Sequence, residues 1–207
     1  MNRRTLALLR NDVALDYALG RGLTLRSIQH FDIGFFEAEK FSHLYSDRIV
    51  FPIEDLYGNF ITYQSRAIPG VSKIQTPKYW HGEFPKDQHL YGLHRAIPLI
   101  LEHQCLCVVE GPIDVAVLWE FGVPAVATLG TAFSETHALL IKRFTDNVYI
   151  WRDNDEAGER ASVRSTGVMH KFGMRPTVFS HKTYKDPSEM FVKCGYNKTK
   201  RYINDQI

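Results

Sequence analysis

The sequence predicts an α/β protein in which a parallel sheet with flanking helices follows a smaller α+β subdomain. After Ile97, short apolar stretches with strand character alternate strictly with stretches of helical periodicity. Such alternation is typical of right-handed crossovers between parallel strands that helices cover. Before Ile97, helical periodicity comes first and a pattern of alternating apolar and polar residues follows. We therefore divide the chain into residues 1–99, residues 100–195 and a tail of residues 196–207.

Two helices and a hairpin are predicted in the N-terminal part. Apolar residues at helical spacing predict a helix over residues 5–19, and Gly20 supplies a stop signal. A shorter helix is predicted over residues 24–30. Residues 48–68 alternate between apolar and polar and include a Tyr-Gly-Asn turn at residues 57–59, so we predict an antiparallel hairpin there.

A long ordered loop is predicted between the hairpin and the alternating part. Residues 69–90 combine prolines with glycine, lysine, histidine and aromatic residues. Loops of this length in compact domains are more often functional than idle, so we expect this segment to serve the function of the protein.

Four strands and three helices are predicted after the loop. The stretches with strand character are residues 106–109, 125–129, 148–151 and 177–180. Each of the first three strands leads into a helical stretch, at residues 115–121, 134–144 and 157–172 respectively. This order predicts a four-stranded parallel sheet, in which a functional crevice lies beyond the carboxyl ends of the strands.

Carboxylates gather where two of these strands end. Glu110 ends the first strand and Asp114 lies in the first turn of the next helix, while Asp153 and Asp155 follow the third strand. Like charges held close together repel each other unless a positive charge lies between them. A hard divalent cation such as Mg²⁺ prefers oxygen ligands, so the sequence predicts a cation site at this edge of the sheet.

Each of these acidic residues also has a purely structural interpretation. Asp155 can be the N-cap of the helix that follows it, and Asp114 can compensate a helix dipole. A third acidic segment, KDPSE at residues 185–189, is typical of a helix start. There Asp186 would be the N-cap, and Glu189 would complete a capping box.

The composition is that of an ordered globular protein with no strong charge bias. Hydrophobic residues make up 44% of the 207 residues, charged residues make up 23%, and the net charge is +2. Any surface for an anionic polymer must therefore come from local clusters of basic residues. The three cysteines show neither a disulfide framework nor zinc spacing. We find no apolar run that could span a membrane and no signal peptide, so we expect a cytoplasmic protein.

Eight short segments in a fixed order resemble the RNA polymerase core of bacterial, DnaG-like primases, whose catalytic domain has the TOPRIM fold. The resemblance extends from about residue 18 to residue 195. The segments are RIVFPI at 48–53, SRAI at 65–68, TPKY at 76–79, HLYGL at 89–93, EGPID at 110–114, TLGT at 128–131, DNDEAG at 153–158 and KDPSE at 185–189. Eight matches in order are far more specific than any one of them.

This resemblance implies an enzyme that makes short RNA primers on single-stranded DNA from ribonucleoside triphosphates. It implies a cluster of Mg²⁺ or Mn²⁺ ligands, of which Glu110, Asp153 and Asp155 would be catalytic. That cluster would consist of Glu110, Asp114, Asp153, Asp155 and Asp186. It further implies a basic face that tracks the template and the nucleotide phosphates, formed by Arg48, Arg66, Lys78, Tyr79 and Lys86.

The sequence departs from this family at two points. A second aspartate usually follows two residues after the position of Asp186, and here that residue is Ser188. We find no amino-terminal zinc-binding module and no carboxy-terminal helicase-binding domain, so we expect no zinc in the chain. The resemblance therefore implies a replicative helicase and a separate zinc-binding subunit as partners. Such a minimal primase would suit a compact genome such as that of a phage.

Three other functions stay open from the sequence. A TOPRIM nuclease would use the same carboxylates to hydrolyse DNA, although the TPKY and LYGL segments favour a primase. A topoisomerase is disfavoured, because Tyr79 or Tyr91 would have to be the nucleophile and no separate strand-cleaving domain is visible. Because Ser188 replaces an acidic residue, a catalytically weak binding module at a replication fork is the third alternative.

Overall fold

The structure is a computed structural model, and it describes residues 3–36, 46–71, 77–153, 155–179 and 183–206. The chain divides into two compact units, Met1–Phe84 and Pro85–Ile207. Among the helices of these described residues, none is both long enough and apolar enough to cross a membrane.

The described residues of the first unit open with three short helices: α1 (Arg3–Leu9), α2 (Asp12–Gly20) and α3 (Leu25–His30). The sequence predicts one helix over residues 5–19, but the structure has two. The chain breaks at Asn11, whose side chain accepts a hydrogen bond from the Ala14 N–H at 2.9 Å and so caps α2. The prediction of a helix over residues 24–30 is confirmed by α3.

An antiparallel sheet of four strands completes the first unit, in the order β1-β2-β3-β4. The predicted hairpin is confirmed, since its two arms are β2 and β3. The strands are β1 (Gly34–Phe36), β2 (Arg48–Glu54), β3 (Phe60–Ala67) and β4 (Tyr79–His81). Strand β4 lies inside the stretch that we predicted to be a loop, together with a short 3₁₀ helix, Lys86–Gln88. Residues 72–76 of that predicted loop lie outside the described residues.

The second unit contains the predicted parallel sheet, with strand order β6-β5-β7-β8 and all three strand pairings parallel. Its strands are β5 (Leu106–Val109), β6 (Ala125–Ala127), β7 (Asn147–Ile150) and β8 (Arg175–Val178). Strand β8 begins and ends two residues before the predicted one, whose last residue, Ser180, lies outside the described residues. All four residues of β5 are fully buried, as expected for a central strand covered on both faces.

In the described part of this unit, five helices accompany the sheet, three of them at the predicted places. They are α4 (Leu93–His103), α5 (Pro112–Glu120), α6 (Glu135–Lys142), α7 (Glu156–Lys171) and α8 (Pro187–Asn204). Helix α4 was not predicted, and the domain boundary that we placed between residues 99 and 100 falls inside it. Helix α8 starts after its N-cap Asp186, as predicted, and continues past a kink at Gly195. It includes most of the predicted tail, where Ile203 is buried.

Candidate functional site

The parallel pairing of β5 and β7 brings their carboxyl ends side by side. Val108 lies opposite Ile150, and the Trp151 N–H donates a hydrogen bond to the Val108 carbonyl oxygen at 2.9 Å. Two residues further along each strand, the Asp153 N–H lies 3.5 Å from a carboxylate oxygen of Glu110. The structure therefore places Glu110 and Asp153 together, as the sequence predicts.

Asp155 belongs to a tight turn between β7 and α7. Its N–H donates to the Asp153 carbonyl oxygen at 2.9 Å, and its Oδ1 accepts from the Gly158 N–H at 2.9 Å. Asp155 is thus the N-cap of α7, and the other oxygen of its carboxylate is not used by this cap. The turn requires glycine at position 158, because an added Cβ would lie 1.9 Å from the Asp153 carbonyl oxygen.

A second acidic group links α5 to the start of α8 through Ser188. Asp114 is only 7% exposed, and its Oδ1 accepts a hydrogen bond from the Ser188 N–H at 3.2 Å. The Ser188 hydroxyl donates to Asp186 Oδ1 at 2.7 Å, and the same oxygen accepts from the Glu189 N–H. Asp186 is therefore an N-cap as well, and the serine joins two carboxylates by hydrogen bonds.

Two of the carboxyl groups hold their protons more tightly than usual. The pKa of Glu110 is raised, first by burial and then by the charge of Asp153. Burial raises the pKa of Asp114 to about 8, and the charge of Asp186 adds to this shift. Ionising either group is therefore costly in the absence of a nearby cation.

Two basic side chains of the same unit lie among these acids, and our sequence interpretation did not single them out. Lys185 Nζ lies 2.8 Å from Asp153 Oδ2, and this hydrogen bond raises the pKa of Lys185. Arg152 is only 8% exposed, and its Nη1 donates to the Thr128 hydroxyl oxygen at 2.9 Å. Each residue directly precedes an aspartate of the predicted cluster, which is the signal in the sequence that could have found it.

The chemistry of these donors fits a hard divalent cation. Within the described residues, no three Asp, Glu, His or Cys side chains are arranged so as to hold a metal ion. The five predicted ligands nevertheless carry only carboxylate oxygens, which Mg²⁺ and Mn²⁺ prefer. Burial first, and then the charge of a neighbouring aspartate, raises the pKa of Glu110 and of Asp114, and a bound cation would oppose both effects.

Arg48 does not lie on a basic face, which corrects the expectation from the sequence. Its side chain is fully buried, and its guanidinium group donates to the Ser65 hydroxyl oxygen at 2.8 Å and to the Pro77 carbonyl oxygen at 2.8 Å. It also reaches the Lys78 carbonyl oxygen at 3.2 Å. Arg48 therefore fastens the chain before β4 to the hairpin.

Arg66 is also buried, with 6% of its surface exposed. It donates a hydrogen bond to the Tyr17 hydroxyl at 2.6 Å and another to the Tyr79 hydroxyl. Arg66 therefore lies inside the first unit rather than on an open basic face, and its hydrogen bonds join it to Tyr17 and Tyr79. Lys78 is exposed, and its Nζ lies 5.8 Å from the centroid of the half-buried Tyr79 ring.

The segment that carries Lys86 is fixed by the start of α6. His137 Nδ1 accepts from the Ser134 N–H at 3.2 Å, so Nε2 carries the proton and donates to the Lys86 carbonyl oxygen at 2.9 Å. The Ser134 hydroxyl donates to the Asp87 carbonyl oxygen at 2.6 Å. Burial lowers the pKa of His137, so the ring stays neutral and the half-buried Lys86 is held in place.

Comparisons with protein families divide the chain in the same order as its two sheets. Residues 36–97 match the family described as the N-terminal domain of the DNA primase catalytic core. Residues 107–191 match the Toprim-like family. The second match contains Glu110, Asp114, Asp153, Asp155 and Asp186.

Among curated relatives, DNA primase of Thermotoga maritima is 27% identical over 201 residues, which cover 95% of this chain and 35% of the relative. DNA primase of Borreliella burgdorferi is 31% identical over 164 residues, which cover 77% of this chain and 31% of the relative. The chain thus spans about a third of the length of these relatives.

Solved structures show the same likeness over almost the whole chain. The zinc-binding and RNA polymerase domains of Aquifex aeolicus primase match with a TM-score of 0.86 and 28% identity, over 98% of this chain and 58% of that chain. The DnaG primase catalytic domain bound to single-stranded DNA matches with a TM-score of 0.79 and 26% identity, over 98% and 77%. With a Toprim-like domain after the N-terminal domain of a primase core, the chain belongs to the DnaG-type bacterial primases.

Proposed function

We propose that this chain is the catalytic core of a DNA primase, which joins ribonucleoside triphosphates into short RNA on a single-stranded DNA template. One observation carries the proposal. Glu110 and Asp153 meet at adjacent strand ends of a Toprim-like domain, and a primase-type N-terminal domain precedes that domain in the chain. A nuclease would need the carboxylates but not the primase-type N-terminal domain.

Glu110, Asp153 and Asp155 would hold Mg²⁺ or Mn²⁺, with Asp114 and Asp186 as further ligands of the same cluster. Bound metal ions supply Lewis acidity at the attacking 3′ hydroxyl and at the leaving pyrophosphate in nucleotidyl transfer. The protein contributes the fixed turn of Asp153 and Asp155, which the close approach of Gly158 holds in place.

The template would bind through Lys78 and Tyr79, which are accessible, and through Lys86. Arg48 and Arg66 would act indirectly, because they fix the position of the strand that carries Tyr79. Binding of this kind depends on phosphate charge and base stacking, so the affinity should fall steeply with salt. A replicative helicase and a separate zinc-binding subunit are the proposed partners, and the cytoplasm is the proposed location.

Incorporation of labelled ribonucleotides on mixed single-stranded DNA tests this function. We expect short RNA with wild-type protein and Mg²⁺ or Mn²⁺, and a loss of at least 100-fold, about 2.7 kcal/mol, in Asp153→Asn, because a metal ligand is removed. The matched control is Asp146→Asn, a partly exposed aspartate before β7 whose carboxylate pairs with Lys142 at 2.8 Å. Loss of the DNA template would indicate the nuclease, and inactivity of the wild-type protein with either metal would leave the binding module.

A further inference from the structure

A small cavity lies on the side of the second unit where β5, β7 and α7 meet the loop after β6. Its volume is about 280 Å³. Small-molecule pockets usually measure about 300–1,000 Å³, so this cavity suits a group such as a diphosphate better than a whole nucleotide. Its charged lining residues are Glu110, Asp155, Arg152 and Arg164.

Arg152 is buried in the wall of this cavity without a full set of acceptors. Nη1 donates to the Thr128 hydroxyl oxygen at 2.9 Å, and Nη2 reaches the Ser165 hydroxyl oxygen only at 3.5 Å. Nε is buried and finds no acceptor in the described part of the chain. A buried guanidinium group is costly unless its charge and its donors are matched, so this one is suited to an additional acceptor.

Arg164 brings a second guanidinium group to the same cavity from the exposed side of α7. Burial lowers the pKa of Arg152, the charges of Glu110 and Asp153 oppose this shift, and the charge of Arg164 lowers the pKa by a smaller amount. In the described residues no carboxylate forms an ion pair with Arg164. Since neither arginine forms an ion pair with a described residue, the two neighbouring cations favour an anion between them, just as the neighbouring carboxylates favour a cation.

The loop after β6 leaves room for such an anion. Gly130, which lines the cavity, has a φ of 77°, and an added Cβ would meet no atom within 4 Å. Leu129 before it is held at a φ of 58°, a conformation that is rare for a residue with a side chain. The loop therefore keeps one wall of the cavity open beside Arg152.

We propose that this cavity binds the β- and γ-phosphates of a ribonucleoside triphosphate, with Arg152 and Arg164 as the phosphate-binding residues. Glu110 and Asp155 lie at its edge, so the phosphates would be shared between the arginines and the metal cluster. This inference rests on the proposed primase function and names a binding site for its substrate. Pyrophosphate has the same chemistry and is the simplest probe of the site.

Calorimetric titration of inorganic pyrophosphate in the presence of Mg²⁺ tests the proposal without relying on activity. We expect Arg164→Ala to raise the Kd for pyrophosphate about tenfold, because charge-assisted hydrogen bonds to phosphate are lost. The matched control is Arg160→Ala, since Arg160 lies on the same helix, pairs with Glu156 and does not line the cavity. Arg152→Lys, which keeps the charge, should weaken binding less than Arg152→Met, and thermal melting checks that both variants fold.

The outcomes separate this inference from the proposed function. If Arg164→Ala binds pyrophosphate as wild type does while Asp153→Asn does not, the site is wrong and the primase function stands. If Arg164→Ala loses affinity for single-stranded DNA but not for pyrophosphate, the occupant is a backbone phosphate and the proposal is overturned. If wild-type protein binds neither pyrophosphate nor ribonucleotides and makes no RNA, both proposals fall.

Discussion

Arg48 in the first unit and Arg152 in the second are both buried guanidinium groups, but their surroundings differ. Arg48 has close acceptors in Ser65 and Pro77, all of them neutral. Arg152 has one close acceptor, one distant acceptor and a buried Nε without any in the described chain. A buried guanidinium group whose donors all have acceptors stabilises the fold. One that lacks some acceptors can supply donors to a bound ligand.

Replacing the matched arginine should have the largest effect on stability. Arg48→Met leaves the carbonyl group of Pro77 without its donor and removes the hydrogen bond to the Ser65 hydroxyl, so we expect a loss of about 4 kcal/mol in the free energy of unfolding. Urea denaturation measures the loss. Arg152→Met should cost about 1 kcal/mol, since fewer hydrogen bonds disappear. Equal losses of unfolding free energy in the two variants would show that the two arginines contribute equally to stability, which would contradict this comparison.

The close contact between Gly158 and the Asp153 carbonyl oxygen predicts the next largest loss of stability. Gly158→Ala places a methyl group against the Asp153 carbonyl oxygen, where an added Cβ would lie at 1.9 Å. We expect the variant to lose about 3 kcal/mol in the free energy of unfolding and to bind Mn²⁺ more weakly, because the turn must move. Denaturation and metal titration measure both quantities.

Gly167→Ala is the control, because Gly167 lies in the same helix with nothing within 4 Å of an added Cβ. It should gain about 0.5–1 kcal/mol from the better helix propensity of alanine. A stabilised Gly158→Ala variant would show that the turn is not tightly packed.

The buried carboxyl group of Asp114 should make the metal-free protein sensitive to pH. Its pKa is raised to about 8 by burial, from an ordinary value of 3.8, so the folded state disfavours the ionised form. The penalty is absent below pH 4 and grows as the pH rises toward 8. We expect wild type to lose about 2 kcal/mol between pH 5 and pH 6.5 relative to Asp114→Asn. Denaturation in a chelator measures this difference, and a constant difference over that range contradicts it.

Substitution of Ser188 should have the smallest effect on stability and a specific effect on metal binding. Ser188→Asp adds a carboxylate beside Asp114 and Asp186, so we expect the metal-free protein to lose about 1 kcal/mol in the free energy of unfolding. The same variant should bind Mn²⁺ more tightly than wild type, because a ligand is added. Ser188→Ala, which loses only the hydrogen bond to Asp186, should not gain affinity. Unchanged Mn²⁺ binding in Ser188→Asp would place this residue outside the metal cluster.

The fold of the second unit was predictable because stretches with strand character alternate strictly with helical stretches in its sequence. Strand and helix follow each other there, and parallel pairing then requires that Glu110 and Asp153 meet at one edge. Helix α4 was missed, since Pro98 lies inside it and obscures its helical character. Lys185 and Ser188 were not assigned their roles, because local spacing does not show which side chains meet across the sheet.

The first unit was less predictable for a physical reason. Strand β2 is buried on both faces except at its last residue, so a charged residue at its start lies inside rather than on the surface. The pattern of the hairpin cannot reveal this, and Arg48 and Arg66 were therefore expected on a face that they do not reach. Strand β4 was missed because only three residues pair with β3.

The contact between Lys185 and Asp153 makes metal binding an exchange of one cation for another. A divalent ion that takes Asp153 must displace an ammonium group held at 2.8 Å, so the measured affinity is a difference between two attractions. Removal of the lysine should therefore strengthen metal binding. In the metal-free protein, the same change should increase the repulsion between the neighbouring carboxylates. In the absence of metal, the chain thus carries a counter-ion of its own, which keeps the strand ends in place until the metal arrives.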